Sequence, residues 1–139
     1  MKLIFLDVDG VLNTKETRSP NACVIDAERL VLVEKLVRSS GAQVILTSSW
    51  RLSADAPWRE PLARGGVSVV DQTPRLNGNN RQREILSYLS GRDDVERFVI
   101  LDDQVGRWGA LKPYVVRIDP RKGLTPVHVT RAMAILNAE

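Results

Sequence analysis

The sequence predicts an α/β domain built on a mostly parallel central sheet of about five strands, with helices covering both faces. Two observations lead there. Short apolar runs alternate along the chain with segments whose apolar residues recur every three or four positions, the helical spacing. The strand-like runs are also apolar without interruption, as in strands buried on both sides rather than strands with one wet face. With 43% apolar and 27% charged residues among 139, the composition is that of an ordinary globular protein. Residues 1–139 are therefore expected to form one domain, burying roughly 70% of the unfolded surface.

The elements follow in order. Leu3–Leu6 is the first strand. Ala27–Ser39 brings Leu30, Val33, Leu36 and Val37 to one helical face, with Asp26 set to cap its start and Gly41 just past its end. Val44–Leu46 is the second strand and Val67–Val70 a short third. Asn80 opens a helix that carries Ile85, Leu86 and Leu89 and is closed by Gly91. Phe98–Leu101 is the fourth strand and Tyr114–Ile118 the fifth. The last helix starts near Thr125-Pro126, where proline suits the first turn, and carries Val129, Met133 and Leu136. No repeat, low-complexity tract or linker interrupts this alternation.

The bulk properties exclude several classes. The apolar start is four residues long and is broken by Asp7 and Asp9, so it is not expected to be a signal peptide. No stretch approaches the roughly 18 apolar residues of a membrane span, and no membrane partner is expected. A single cysteine, Cys23, rules out an internal disulfide and a cysteine zinc site. A reducing, cytoplasmic setting is expected, with Cys23 as a small apolar side chain. The net charge of +3 permits an anionic partner such as nucleic acid without requiring one. Arginines thicken locally in RLNGNNRQR, at Arg75, Arg81 and Arg83.

In open parallel sheets ligands sit beyond the carboxyl ends of the strands. The first strand ends in Asp7 and Asp9, the second in Thr47-Ser48-Ser49-Trp50-Arg51, and the fourth in Asp102-Asp103. Each signal is weak alone, because DxDG can be a turn, TSS a helix cap and DD the start of a loop. Together they crowd carboxylates at one edge, which demands protonation, separation or a cation between them. Acids without histidine or cysteine nearby are hard oxygen ligands and suit Mg²⁺. The one histidine, His128, lies on the last helix and is expected to be structural or exposed.

These segments resemble the motifs of the haloacid dehalogenase (HAD) superfamily of phosphatases. LIFLDVDGVLN is similar to its motif I, VILTSSWR to motif II and FVILDD to motif IV, in matching order and spacing over roughly residues 3–103. The tail VVRIDPRKGLT fits a further strand and loop. Response-regulator receivers carry the acid pair first and are excluded by order. The Trp-Arg after motif II and the arginines ahead of Glu84-Ile85 are similar, more narrowly, to small HAD domains of RNA repair proteins. The resemblance implies a three-layer, Rossmann-like sandwich.

It also implies roles. Asp7 is the expected nucleophile, forming an aspartyl phosphate, and Asp9 the general acid and then general base. Mg²⁺ would be held by the Asp7 carboxylate, the Asp9 backbone carbonyl and Asp102, with Asp103 orienting a metal water or the loop. Thr47 supplies the phosphate-binding hydroxyl, or Ser48 if the strand runs one residue longer. Motif III departs from the pattern: no lysine occurs between Lys35 and Lys112. Arg81 is the expected replacement and Arg83 the alternative, since cations in a first helical turn oppose the dipole by a few tenths of a kcal/mol, roughly, and hint at anion binding. Trp50 is expected either to stack on a base or to pack the sheet edge, and Arg51 either to hold a phosphate or to form a salt bridge.

Relatives that act on small metabolites carry a cap domain of many tens of residues. Here Asn13–Val24 is a short insert, and Leu52–Asn80 has room for one helix and a short strand. A site without a cap is open and suits phosphates on large molecules. RNA or DNA ends, or nucleotides, are the expected substrates, with a polynucleotide 3′-phosphatase the concrete form. The alternatives are a non-catalytic phosphate- or nucleic-acid-binding module serving a partner, and a phosphatase of small metabolites or phosphoproteins. A phosphomutase uses the same acid pair but needs a cap.

Overall fold

A computed structural model describes residues 1–138. Five strands form one sheet: β1 (Lys2–Leu6), β2 (Gln43–Leu46), β3 (Val69–Gln72), β4 (Arg97–Asp102) and β5 (Val115–Arg117). Their order is β3-β2-β1-β4-β5 and every neighbouring pair is parallel. Parallel neighbours need crossovers. These are α1 (Ala27–Ser40), α2 (Arg59–Arg64), α3 (Arg81–Leu89) and, between β4 and β5, a 3₁₀ segment at Gly109–Tyr114; α4 (Pro126–Leu136) closes the chain. The sheet grows from β1 to β3 in one direction, and the chain then returns to lay β4 on the other side of β1. The order reverses between β1 and β4, which is where sheets of this kind bind ligands.

Alternation along the strands divides the core. Ile4, Leu6, Val44, Leu46, Val99 and Leu101 face one side and pack with Leu30, Val33 and Leu36 of α1 and Val129, Ala132 and Leu136 of α4. Leu3, Phe5, Ile45 and Ile100 face the other, against Ile85 of α3, Trp108 and Leu111. The result is the expected three-layer α/β sandwich, and no cap domain is present among the described residues. Residues 13–24 contain no helix or strand, while the interval after β2 holds α2 and β3. Among the described residues no helix is long and apolar enough to cross a membrane.

Most element ends follow local chemistry. Gly41 is left-handed at φ 72° and its N–H donates to the Val37 carbonyl, closing α1. The Asn80 side chain accepts the Arg83 N–H at the start of α3. Asp26 does precede α1, but its carboxylate accepts from Thr17 and Arg29 and caps nothing. The third strand runs from Val69, not Val67. Val67 is buried beneath the end of α2, where its N–H donates to the Leu62 carbonyl, so burial removes it from strand pairing. β3 is an edge strand, and Val70 on it is 53% exposed. Tyr114 belongs to the 3₁₀ segment and not to β5.

Phe5 lies at the centre of the second core layer, edge-on to both Tyr88 and Phe98 at 5.8 and 5.9 Å. Phe5→Ala is expected to cost about 3–5 kcal/mol, because a fully buried ring leaves a cavity that its neighbours fill poorly. The shift of the urea midpoint at constant slope measures it.

Candidate active site

Three adjacent parallel strands in register end together, and that places the site. Leu6 pairs with Leu46 on one side and Leu101 on the other. One residue further, the Thr47 N–H donates to the Leu6 carbonyl at 2.9 Å and the Asp7 N–H to the Leu101 carbonyl at 3.2 Å. Asp7 therefore stands between Thr47 and Asp102 at the point where strand order reverses.

Asp7, Asp102 and Asp103 each bring a carboxylate oxygen within 4.8 Å of the other two. Asp7 and Asp102 are buried and Asp103 is partly so. Burial, then the neighbouring Asp102 charge, lifts the Asp7 carboxyl to about 7, against a lowering pull from Arg81. Burial and Asp102 also raise Asp103. Gly10 permits this crowding. It is left-handed at φ 82°, and any Cβ there would strike the Asp103 carboxylate.

Arg81, the first residue of α3, is the counter-charge. Its Nη1 donates to Asp102 Oδ2 at 2.6 Å and lies 3.4 Å from Asp7 Oδ2. Burial works against its charge, but the two carboxylates outweigh that and hold the guanidinium above its ordinary value. Arg83, two residues on, points into solvent and reaches none of the acids. Of the two arginines it is Arg81 that meets the acids. Three oxygen acids around one point with a single arginine suit a hard divalent cation such as Mg²⁺, which would be held by Asp7, Asp102 and Asp103.

The hydroxyls separate as well. Thr47 Oγ1 is fully buried and has no hydrogen-bond partner, an unusual state for a buried hydroxyl and one that a phosphoryl oxygen would relieve. Ser48 Oγ is already engaged, accepting the Trp50 N–H as cap of the 3₁₀ turn Ser49–Leu52.

A family model described as the HAD domain in Swiss Army Knife RNA repair proteins matches residues 3–129. The chain belongs to this HAD family. Neither a curated protein nor a solved structure matches it.

Within this HAD domain the Asp9 carboxylate is held from two sides. Asn13 Nδ2 donates to Oδ1 at 2.9 Å and the Trp50 indole N–H to Oδ2 at 3.1 Å. Trp50 is thereby tied to a site acid while its ring packs partly against the core. Asn13 is fully buried, and its Oδ1 accepts the Gly10 N–H. Sequence reasoning does not single out Asn13; its place at the end of LDVDGVLN, four residues after Asp9, is the available signal.

Arg51 serves the framework and does not reach into the site. It is only 6% exposed. Its Nε donates to the Thr73 carbonyl, Nη1 to those of Thr47 and Ser48, and Nη2 to that of Pro74, all at 2.9–3.1 Å. Nη2 also lies 3.0 Å from Glu84 Oε2. Burial lowers its pKa while Glu84 supports the charge. One guanidinium thus ties the ends of β2 and β3 to α3. His128, on α4, caps that helix reciprocally with Thr125. Cys23 is a free thiol, and burial followed by the nearby Asp9 charge pushes it up to about 11.

Arg51→Ala should destabilise by about 3–5 kcal/mol, read by thermal or urea unfolding, since it leaves the buried Glu84 carboxylate unpaired. For Asp7, the ordinary value of 3.8 rises to about 7 on folding. A protonated Asp7 thus favours the fold fully below about pH 3.8, and this advantage fades as pH climbs through 7. In chelator, Asp7→Asn should stabilise the protein at pH 8 by on the order of 1–3 kcal/mol and change little at pH 4. Urea midpoints at the two pH values measure it.

Proposed function

We propose that this domain is a Mg²⁺-dependent phosphomonoesterase that works through an aspartyl phosphate on Asp7 and acts on nucleic-acid ends or nucleotides, in the manner of a polynucleotide 3′-phosphatase. The observation that carries this reading is the convergence of Asp7, Asp102, Asp103 and Arg81 around one point, beside the unpartnered Thr47 hydroxyl.

An Asp7 carboxylate oxygen attacks phosphorus, the bond to the leaving alcohol breaks, and Asp9 gives that oxygen its proton. Asp9, now a carboxylate, takes a proton from water as the water attacks the same phosphorus, which frees Asp7 and inorganic phosphate. A bound Mg²⁺ supplies positive charge that favours the Asp7 carboxylate and screens it from an incoming phosphate. Asn13 and Trp50 hold the Asp9 carboxylate by one oxygen each, fixing the direction from which the proton comes. Arg81 and the Thr47 hydroxyl meet the phosphoryl oxygens, on which charge builds during transfer. The family's association with RNA repair proteins, together with the short inserts that leave the edge uncovered, supports a phosphate carried on a large molecule.

Purified protein should release phosphate from p-nitrophenyl phosphate with Mg²⁺ and not with chelator. Asp7→Asn should lower the rate on the order of 10³-fold or more, and Asp9→Asn by roughly 10²–10⁴-fold. Across substrates, a 3′-phosphorylated oligonucleotide should exceed mononucleotides and sugar phosphates in kcat/KM. A preference for a sugar phosphate would remove the nucleic-acid part; silence on every phosphate ester would remove the enzyme.

A further inference from the structure

Beside the acids lies a cleft of about 640 Å³ whose lining includes Gln104, Val105, Arg107, Trp108, Lys112 and Arg117. Its walls adjoin residues of the site at three points. Its first residue, Gln104, donates its N–H to Asp102 Oδ1 at 2.9 Å. Arg117 is the strand partner of Asp102 at the end of β5. Gly109, on the same loop, abuts Gln82, the residue after Arg81.

The lining is of two kinds. Val105, 72% exposed, and the half-buried Val115 offer apolar surface, and Trp108 beneath is fixed by its indole N–H donating to the Gln104 carbonyl at 3.1 Å. Arg107, Lys112 and Arg117 are exposed, and none forms an ion pair among the described residues. Arg107 is held left-handed at φ 62°, a conformation that side chains other than glycine's disfavour. Three unpaired cations along an apolar wall match a chain of alternating phosphates and flat bases. A single mononucleotide, its one phosphate consumed at the acids, leaves those cations unanswered. A phosphopeptide supplies no such regular charge.

We propose that this cleft seats the polynucleotide strand adjoining the terminal phosphate, with its phosphodiesters on Arg107, Lys112 and Arg117 and a base against Val105 and Val115. The proposal rests on the phosphatase reading of the Asp7 edge and names the part of the substrate that edge does not touch.

The test measures binding apart from turnover. A fluorescein-labelled, 3′-phosphorylated hexanucleotide is titrated by anisotropy into Asp7→Asn protein, with and without Arg107→Ala, Lys112→Ala and Arg117→Ala together. Affinity should fall at least tenfold, and the slope of log affinity against log salt should shrink by about 0.7 for each phosphate no longer neutralised. Arg107→Lys with Arg117→Lys, leaving Lys112 in place, should retain most of the affinity. In the catalytically intact protein, the triple substitution should lower the ratio of kcat/KM for the oligonucleotide to that for p-nitrophenyl phosphate by a similar factor. Unchanged oligonucleotide affinity and slope overturn the cleft even where p-nitrophenyl phosphate is hydrolysed, as does a weakening seen with a phosphopeptide and not with the oligonucleotide. Weakened oligonucleotide binding sustains the cleft even if no ester is turned over, in which case the phosphatase reading alone falls.

Discussion

Asp7, Asp102 and Asp103 repel one another in a buried edge that strand register forces them to share, and much of the surrounding structure answers that repulsion. Arg81 sits against two of the three at the mouth of α3, although burial and the helix dipole both disfavour a cation there. Gly10 has no side chain, because the Asp103 carboxylate fills the space one would need. The balance is incomplete, since the Asp7 carboxyl still stands at about 7. An acid poised in this way ionises readily when more positive charge arrives, and the phosphate chemistry proposed above makes use of that property.

Around this electrostatic centre the framework is cross-linked by separable contacts. Arg51 consumes its donors on backbone carbonyls at the ends of β2 and β3 and on Glu84, so the loop that bears Thr47 is tied to both the sheet and α3. Glu84 also accepts the Leu76 N–H, extending the same link to the segment before α3. Asp9 is treated differently from its neighbours. It faces Asn13 and Trp50 instead of the other acids, and two donors orient it without adding a charge. Two aspartates one residue apart thereby acquire distinct surroundings, the condition under which two carboxyls perform different tasks.

Openness and charge then bear on substrate. The segment between β1 and α1 adds no helix or strand, and that between β2 and α3 adds only the 3₁₀ turn, α2 and β3, so among the described residues no separate domain covers the acid-bearing edge. In the phosphatase proposed above, specificity would come from surfaces beside the edge. On the β5 side these are cationic and apolar together, whereas the arginines near the start of α3 divide, Arg81 to the acids and Arg83 to solvent.

Much was written in the sequence. Uninterrupted apolar runs spaced by helical patterns sufficed for the five strands, the parallel sheet and the main helices, because burial on both faces leaves strands no polar alternation. Acids and hydroxyls directly after three of those runs sufficed to mark the edge, since a residue one past a strand end can only stand at that edge. Three-dimensional packing alone decided the rest. Whether Arg81 or Arg83 meets the acids depends on which side of the first turn of α3 faces the sheet. Whether Arg51 serves phosphate or framework depends on the carbonyls of Thr73 and Pro74, more than twenty residues away in the chain. The bond from Trp50 to Asp9 was hidden for the same reason: partners 41 residues apart are brought together by the sheet, and local sequence carries no record of neighbours met across it.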